Sequence, residues 1–302
     1  MKELRISNKI ENATKSIAIY GKGGIGKSTT TANVAAAAST RGFKTFVVGC
    51  DPKADSIRSL ITNGHTRIKT ILENVRSKGN SLANVQECIY EGFNGIKCVE
   101  SGGPVPGVGC AGKGVFVALE LLQQYEFINE NYNLTLFDVL GDVVCGGFAK
   151  PMRSGFAKEV YIVTSGEFMS IYQAVNIASS ISNMAKEGFD IRMAGIICNC
   201  RNVAGEQEIV SHLSKLIGVP VIITIPRLDM IQKAESLGKT VVEAFPDSDL
   251  AGIYTELAVR ICSNQRLVIP TIESSDCSLE ILDKIKKTIE NQNGNAAIRL
   301  SY

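Results

Sequence analysis

The run Gly21-Lys22-Gly23-Gly24-Ile25-Gly26-Lys27-Ser28-Thr29 holds the densest chemistry in the sequence. Gly21 to Ser28 has the spacing G-x-x-x-x-G-K-[ST], which suits the binding of a nucleoside triphosphate by its phosphates. Glycines let backbone N–H groups approach phosphate oxygens, and a helix beginning there adds partial positive charge. Lys27 is placed for the β- and γ-phosphates, and Ser28 for ligation of Mg²⁺. The apolar run 16–20 precedes the loop and a helical pattern, 28–41, follows it. That is the strand–loop–helix context the spacing requires. A glycine turn without a ligand is the plainer reading of the same residues.

Two acidic segments complete such a site. Leu134-Thr-Leu-Phe-Asp138 is an apolar run ending in a carboxylate, from which Asp138 holds Mg²⁺ directly or through water. Gly141 follows three residues on, as in a switch loop whose backbone N–H detects a γ-phosphate. Asp142 comes next and Cys145 three residues later, so a change at the phosphate reaches Cys145 through one short peptide. Asp51 follows the run 45–50, at the carboxyl edge where open α/β sheets bind ligands. It is a candidate for positioning an attacking water. Asp55 lies in the following loop, the other switch. A carboxylate at such a strand end also serves as a helix cap.

Two cysteines stand among glycines, Cys110 in Gly107-Val-Gly-Cys-Ala-Gly112 and Cys145 in Asp142-Val-Val-Cys-Gly-Gly147. Backbone amides in such loops can point at cluster sulfurs and stabilise their charge. A cubane needs four thiolates. Each chain supplies two, and a symmetric dimer supplies the others across its twofold axis. The other reading is a pair of buried structural cysteines. Cys50, Cys88, Cys98, Cys198, Cys200, Cys262 and Cys277 read as structural. Cys198 and Cys200 would face one side of a strand, but no further ligand pair lies nearby.

The elements that must position these residues follow from the apolar pattern. Short β-branched runs at 16–20, 45–50, 95–99, 134–139, 160–165, 193–199 and 219–225 predict strands. The stretches 28–41, 115–129, 169–187 and 206–217 predict helices between them. Alternation of this kind, with continuously apolar strands, predicts an α/β fold with a doubly wound, mostly parallel sheet covered on both faces. One domain spans 16–292, after a polar lead-in, 1–15, and before a loose tail, 293–302. Within it, 278–292 reads as a packing helix.

Composition narrows the function classes. With 302 residues, 45% of them hydrophobic, the chain can build one large core. No apolar stretch reaches the roughly 18 residues of a membrane span. The polar first residues lack the apolar run of a secretory signal, which predicts a cytoplasmic protein with no membrane partner. Nine cysteines, an odd number, predict ligands or thiols rather than disulfides. A net charge of +2, no dense basic run and no Trp give nucleic-acid binding little support.

Two resemblances extend this reading. The loop Gly21-Lys-Gly-Gly-Ile-Gly-Lys27 resembles the deviant Walker A motif of a P-loop NTPase group that includes chromosome-partitioning and cluster-carrier ATPases. That likeness implies that Lys22 crosses a homodimer interface to the other subunit's nucleotide. Longer strings resemble the nitrogenase iron protein (dinitrogenase reductase) family. They are Lys97-Cys-Val-Glu-Ser-Gly-Gly-Pro-Val-Pro-Gly-Val-Gly-Cys-Ala-Gly112, Asp138-Val-Leu-Gly-Asp-Val-Val-Cys-Gly-Gly-Phe-Ala149, Val48-Gly-Cys-Asp-Pro-Lys-Ala-Asp-Ser56 and residues 20–31. The likeness runs from about residue 15 to about residue 269. It implies a [4Fe–4S] cluster bridged between subunits by Cys110 and Cys145, and MgATP at the glycine loop. It also implies low-potential electrons passed to a separate catalytic component, with ferredoxin or flavodoxin as donor. Asn199 matches the family's adenine-side position, with Arg227 a second candidate there.

Three departures bear on the partner. Lys113 stands where the family usually carries Arg, which keeps the charge but loses the planar fork and excludes arginine-directed modification there. Lys150 replaces a usual apolar residue, and the sequence pI of about 8.0 is high for the family. A more basic face near the cluster suits a different or more acidic partner. The segment 238–246 looks more like nitrogenase-like homologues, so reductases of tetrapyrroles or other substrates stand beside nitrogenase as expected partners. A partitioning or cluster-carrier ATPase without redox chemistry is the rival from another class.

Overall fold

The computed structural model describes residues 14–61, 67–103, 111–129, 131–141, 150–272, 283–285 and 287. In chain order the elements begin with β1 (Lys15–Tyr20), α1 (Lys27–Thr40), β2 (Thr45–Cys50), α2 (Ile71–Lys78) and α3 (Leu82–Gln86). Next come β3 (Tyr90–Glu91), β4 (Lys97–Glu100), α4 (Ala111–Gln124), β5 (Leu134–Val139), α5 (Lys150–Arg153) and β6 (Glu159–Thr164). The chain continues with α6 (Phe168–Lys186), β7 (Arg192–Asn199), α7 (Glu206–Ile217), β8 (Val221–Ile225), α8 (Met230–Ser236), α9 (Val241–Ala244) and α10 (Asp249–Ser263).

The strands form one sheet in the order β3-β4-β2-β5-β1-β6-β7-β8, parallel except for the β3–β4 pair. Every residue of β2, β5 and β6 is buried, as expected of parallel strands covered on both faces. From β1 the chain crosses to β2 on one side, and from β6 it crosses to β7 on the other. Right-handed crossovers in opposite directions send their helices to opposite faces. One core accordingly packs α1 and α10, through residues such as Val34, Leu257 and Ile261. The other packs α4, α6 and α7, through Leu119, Ile177 and Leu213. The alanine run of α1 is buried nearly all round, which lets α10 approach closely.

The divergence of the crossovers puts a topological switch point at the carboxyl end of β1, where ligands of such sheets bind. The expected ranges 45–50, 134–139 and 206–217 coincide with β2, β5 and α7. Residues 1–13 of the expected lead-in lie outside the described residues. Lys15 already belongs to β1, and its buried ammonium pairs with Glu159 at 2.5 Å. The expected strand 95–99 is shifted to β4, because a short 3₁₀ turn at Phe93–Gly95 precedes it. Most of the expected helix 278–292, and the tail after it, lie outside the described residues. Among the described residues no helix is long and apolar enough to cross a membrane.

Candidate functional site

The loop 21–26 leaves β1 at the switch point and turns directly into α1. Gly26 caps the helix with φ +95°, and a methyl there would sit 2.5 Å from Asn199 Nδ2. Both conformation and space demand glycine. The Asn199 amide, at the end of β7, donates to the Ile25 carbonyl at 2.7 Å. The Arg201 guanidinium donates to the Gly24 carbonyl at 2.5 Å. Two loop carbonyls are thus tied to the β7 end. The first-turn N–H groups of α1 have no acceptor within the helix and make the loop an anion cradle. Gly23 and Gly24 are exposed, Lys22 is half-buried, and the Ile25 side chain is a core residue.

Lys27 is buried, and its ammonium donates to the Lys22 carbonyl at 3.2 Å. Burial lowers its pKa, while Asp138, Asp51 and Asp55 pull it back up. Asp138 is only 2% exposed, and among the described residues its Oδ1 has no hydrogen-bond partner. Burial raises its pKa, opposed by the nearby Ser28 and Ser56 hydroxyls and by Lys27. A desolvated carboxylate oxygen left orphaned beside a serine hydroxyl is what a divalent cation would satisfy. The donor set therefore fits the Mg²⁺ expected at Ser28 and Asp138.

Asp51 Oδ1 accepts the Lys53 N–H at 2.9 Å, and the Ala54 N–H closes the same turn on the Asp51 carbonyl at 3.0 Å. The carboxylate shapes its own loop while acting on Lys27. Asp55 is exposed and lines a groove with Ser28, Thr29, Ser56 and Glu235. Gly141 lies against the phosphate loop itself: a methyl there would stand 2.0 Å from the Gly21 carbonyl oxygen. The Gln173 amide holds the Gly141 carbonyl. The loop and the peptide leaving β5 are thus in backbone contact.

A second pocket opens on the other side of the loop, lined by Gly26, Thr29, Asn199, Arg201, Arg227, Leu228, Gln232, Glu235 and Tyr254. It brings Asn199 and Arg227 together. Gln232, Glu235, Arg201 and Glu206 were not anticipated. Gln232 and Glu235, three apart, share one face of the short helix α8, a spacing that was a usable signal. Glu235 accepts from the Thr29 hydroxyl at 2.9 Å. Glu206, buried at the start of α7, accepts the N–H groups of Gly166 and Arg201, each at 2.8 Å. It fastens the end of β6 to the end of β7.

Cys50, Cys88, Cys98, Cys198 and Cys262 are buried, and Cys200 is half-buried. Burial pushes their thiols up, Cys88 to about 11 and Cys98 and Cys262 to about 12. The same cause raises Cys50, Cys198 and Cys200. Thiols so disfavoured as thiolates are poor metal ligands. Among the described residues no group of three or more His, Cys, Asp and Glu could hold a metal ion. Cys110, Cys145, Cys277 and Asp142 lie outside the described residues. Cys110 immediately precedes Ala111, where α4 begins, and Lys113 is exposed in that helix's first turn.

Known proteins add to this geometry. The model of the 4Fe–4S iron–sulfur cluster binding proteins of the NifH/frxC family matches residues 15–288. A relative from Methanobacterium ivanovii, "Nitrogenase iron protein 2", is 51% identical over 257 residues, covering 85% of this chain and 94% of the relative. The "Nitrogenase iron protein" of Methanospirillum hungatei is 43% identical over 286 residues, covering 93% of this chain and 99% of the relative. Among solved structures, the septum site-determining protein MinD of Pyrococcus horikoshii, complexed with Mg-ADP, superposes with a TM-score of 0.62. It is 22% identical, over 82% of this chain and 96% of that one, and shows a shared α/β fold. The chain therefore belongs to the NifH/frxC family of 4Fe–4S iron–sulfur cluster binding proteins, as a nucleotide-binding, ATP-hydrolysing oxidoreductase component.

Proposed function

We propose that two copies of this chain form an ATP-dependent reductase that serves a nitrogenase or nitrogenase-like catalytic component. One [4Fe–4S] cluster per dimer is held by Cys110 and Cys145 of both protomers, and a ferredoxin or flavodoxin restores its electron. The donor set supports this: two thiolates per chain become four across a twofold axis, the number a cubane takes. When bound, the cluster supplies low-potential electrons one at a time.

The observation that carries the reading is the backbone contact between Gly141 and Gly21. It joins the phosphate loop to the peptide that continues, four residues on, to Cys145. Lys27 neutralises the β- and γ-phosphates, while Ser28 and Asp138 hold Mg²⁺. The Gly141 N–H takes a γ-phosphate oxygen, and Asp51 orients the attacking water. Lys22 reaches the nucleotide of the opposite protomer. Asn199 and Arg227 take the adenine side. A nucleotide that rearranges 138–141 also moves the peptide beyond it, with Asp142 in its path. The exposed charge of Lys113 favours an acidic docking face on the partner.

Anaerobic purification followed by iron and sulfide analysis tests the assignment. About four irons per dimer are expected, lost in both Cys110→Ser and Cys145→Ser. A dimer that stays colourless after reconstitution yet hydrolyses ATP would instead be a partitioning-type ATPase.

A further inference from the structure

Glu100 ends β4 and is fully buried, yet the phosphate site leaves it unused. Its neighbours Cys98 and Val99 are apolar core, and a carboxyl in such surroundings is costly unless something holds it. Its Oε1 accepts the Ile57 N–H at 2.9 Å, and its Oε2 has no hydrogen-bond partner among the described residues. Room for the group comes from β2. Gly49 pairs with Glu100 on one side and with Asp138 on the other. A methyl on Gly49 would sit 2.0 Å from Glu100 Oε2. Two buried carboxyls therefore flank one glycine, Asp138 beside Ser28 and Glu100 on the loop 51–57.

That loop meets the exit of β4 a second time. Gly103 packs on Pro52, where a methyl would stand 2.7 Å from Pro52 Cβ. Between the two contacts, the Ser101 N–H donates to the Gly49 carbonyl at 2.9 Å. The Arg76 guanidinium donates to the Gly103 carbonyl at 3.0 Å. Inside the loop, Lys53 and Ala54 bond locally to Asp51. The Ile57 N–H instead reaches out of the loop to another strand.

We infer that Glu100 is a positioning residue whose carboxyl carries the position of loop 51–57, set by the bound nucleotide, into the strand exit 101–103. This rests on the nucleotide-driven reading above and adds a second route, beside the Gly21–Gly141 contact. An apolar side chain would fill the same space but leave the Ile57 N–H without an acceptor.

Amide hydrogen exchange on the full-length dimer, with and without MgATP, tests this without reference to cluster activity. Glu100→Gln keeps the acceptor; Glu100→Met keeps the length and loses it. In the wild type and in Glu100→Gln, MgATP should alter exchange of 51–57 and 97–103 together. In Glu100→Met, ATP affinity should stay within about threefold while the response of 97–103 falls by about tenfold or more. An undiminished response of 97–103 in Glu100→Met overturns the inference, as does a Glu100→Gln protein uncoupled like Glu100→Met. Should Glu100→Met not fold, the wild type decides: 51–57 responding while 97–103 stays unchanged also overturns it. If MgATP alters neither segment in the wild type, the nucleotide reading itself fails and takes this inference with it.

Discussion

Gly141→Ala strikes the backbone contact with Gly21 on which the proposed nucleotide sensing rests. The new methyl would stand 2.0 Å from the Gly21 oxygen and 2.8 Å from its carbonyl carbon. Side chains essentially never approach below 3.0 Å, so the peptide must withdraw by about 1 Å. Both partners are backbone, and no rotamer relieves the clash. A misplacement of about 1 Å at a reacting group costs roughly 10²-fold, or about 2.7 kcal/mol of transition-state stabilisation. Lys27, Ser28 and the Asn199 hydrogen bond stay in place, so ADP affinity should change by less than about threefold. Single-turnover ATP hydrolysis and calorimetric ADP titration separate the two. Gly252→Ala is the control, a helical glycine of α10 with open space around it. It should leave hydrolysis unchanged and gain up to about 1 kcal/mol of stability. Hydrolysis by Gly141→Ala within about threefold of wild type would refute the reasoning. A loss of ADP binding as large as the loss of hydrolysis would refute it as well.

Asp138→Asn should trade function for stability. Burial raises the Asp138 pKa, so the folded protein takes up the proton more readily than the unfolded chain. The cost of its charge is fully present above the folded pKa and vanishes as pH falls below the unfolded value of about 3.9. The variant should therefore have the higher Tm near neutral pH, by thermal denaturation, with the gap closing in acid and Mg-dependent ATP binding lost. Glu206→Ala strands the buried N–H groups of Gly166 and Arg201, at a cost of about 1–3 kcal/mol in urea titrations. Because Arg201 braces the phosphate loop, ATP affinity should fall with it. Leu257→Ala removes a fully buried side chain between α10 and α1 and should cost about 2–5 kcal/mol of stability.

What was legible in the sequence was local chemistry and continuous burial. The loop 21–28 carries its own glycines, lysine and serine, and β2 and β5 are mostly apolar runs ending at Cys50 and just past Asp138, so both could be read without a fold. The helix α10 was not among the expected helices, although the Ser248 cap and Leu250, Tyr254, Leu257 and Ile261 on one face carry the local signals of one. The strand β3 was not legible, because two residues have no periodicity and their pairing with β4 is a tertiary contact. Lys15 shows the same limit: as a lysine it reads as surface, and Glu159, 144 residues away, together with the Asn264 carbonyl makes its burial tolerable. The pocket walls are the ends of β7 and β8 and the start of α8, which only the sheet order brings beside α1. Glu100 is likewise silent in one dimension, since its meaning depends on Gly49 across the ladder and on the Ile57 N–H.

Nucleotide at the glycine loop is proposed to alter a cluster held by Cys110 and Cys145. Electron paramagnetic resonance of the anaerobic, dithionite-reduced dimer, with and without MgATP, tests it most directly. A reduced [4Fe–4S] signal near one cluster per dimer is expected, changed by MgATP in the wild type and absent in Cys145→Ser. A signal that MgATP leaves untouched while ATP is still bound would contradict the linkage. An ATP-hydrolysing dimer with no signal after reconstitution would contradict the redox assignment itself.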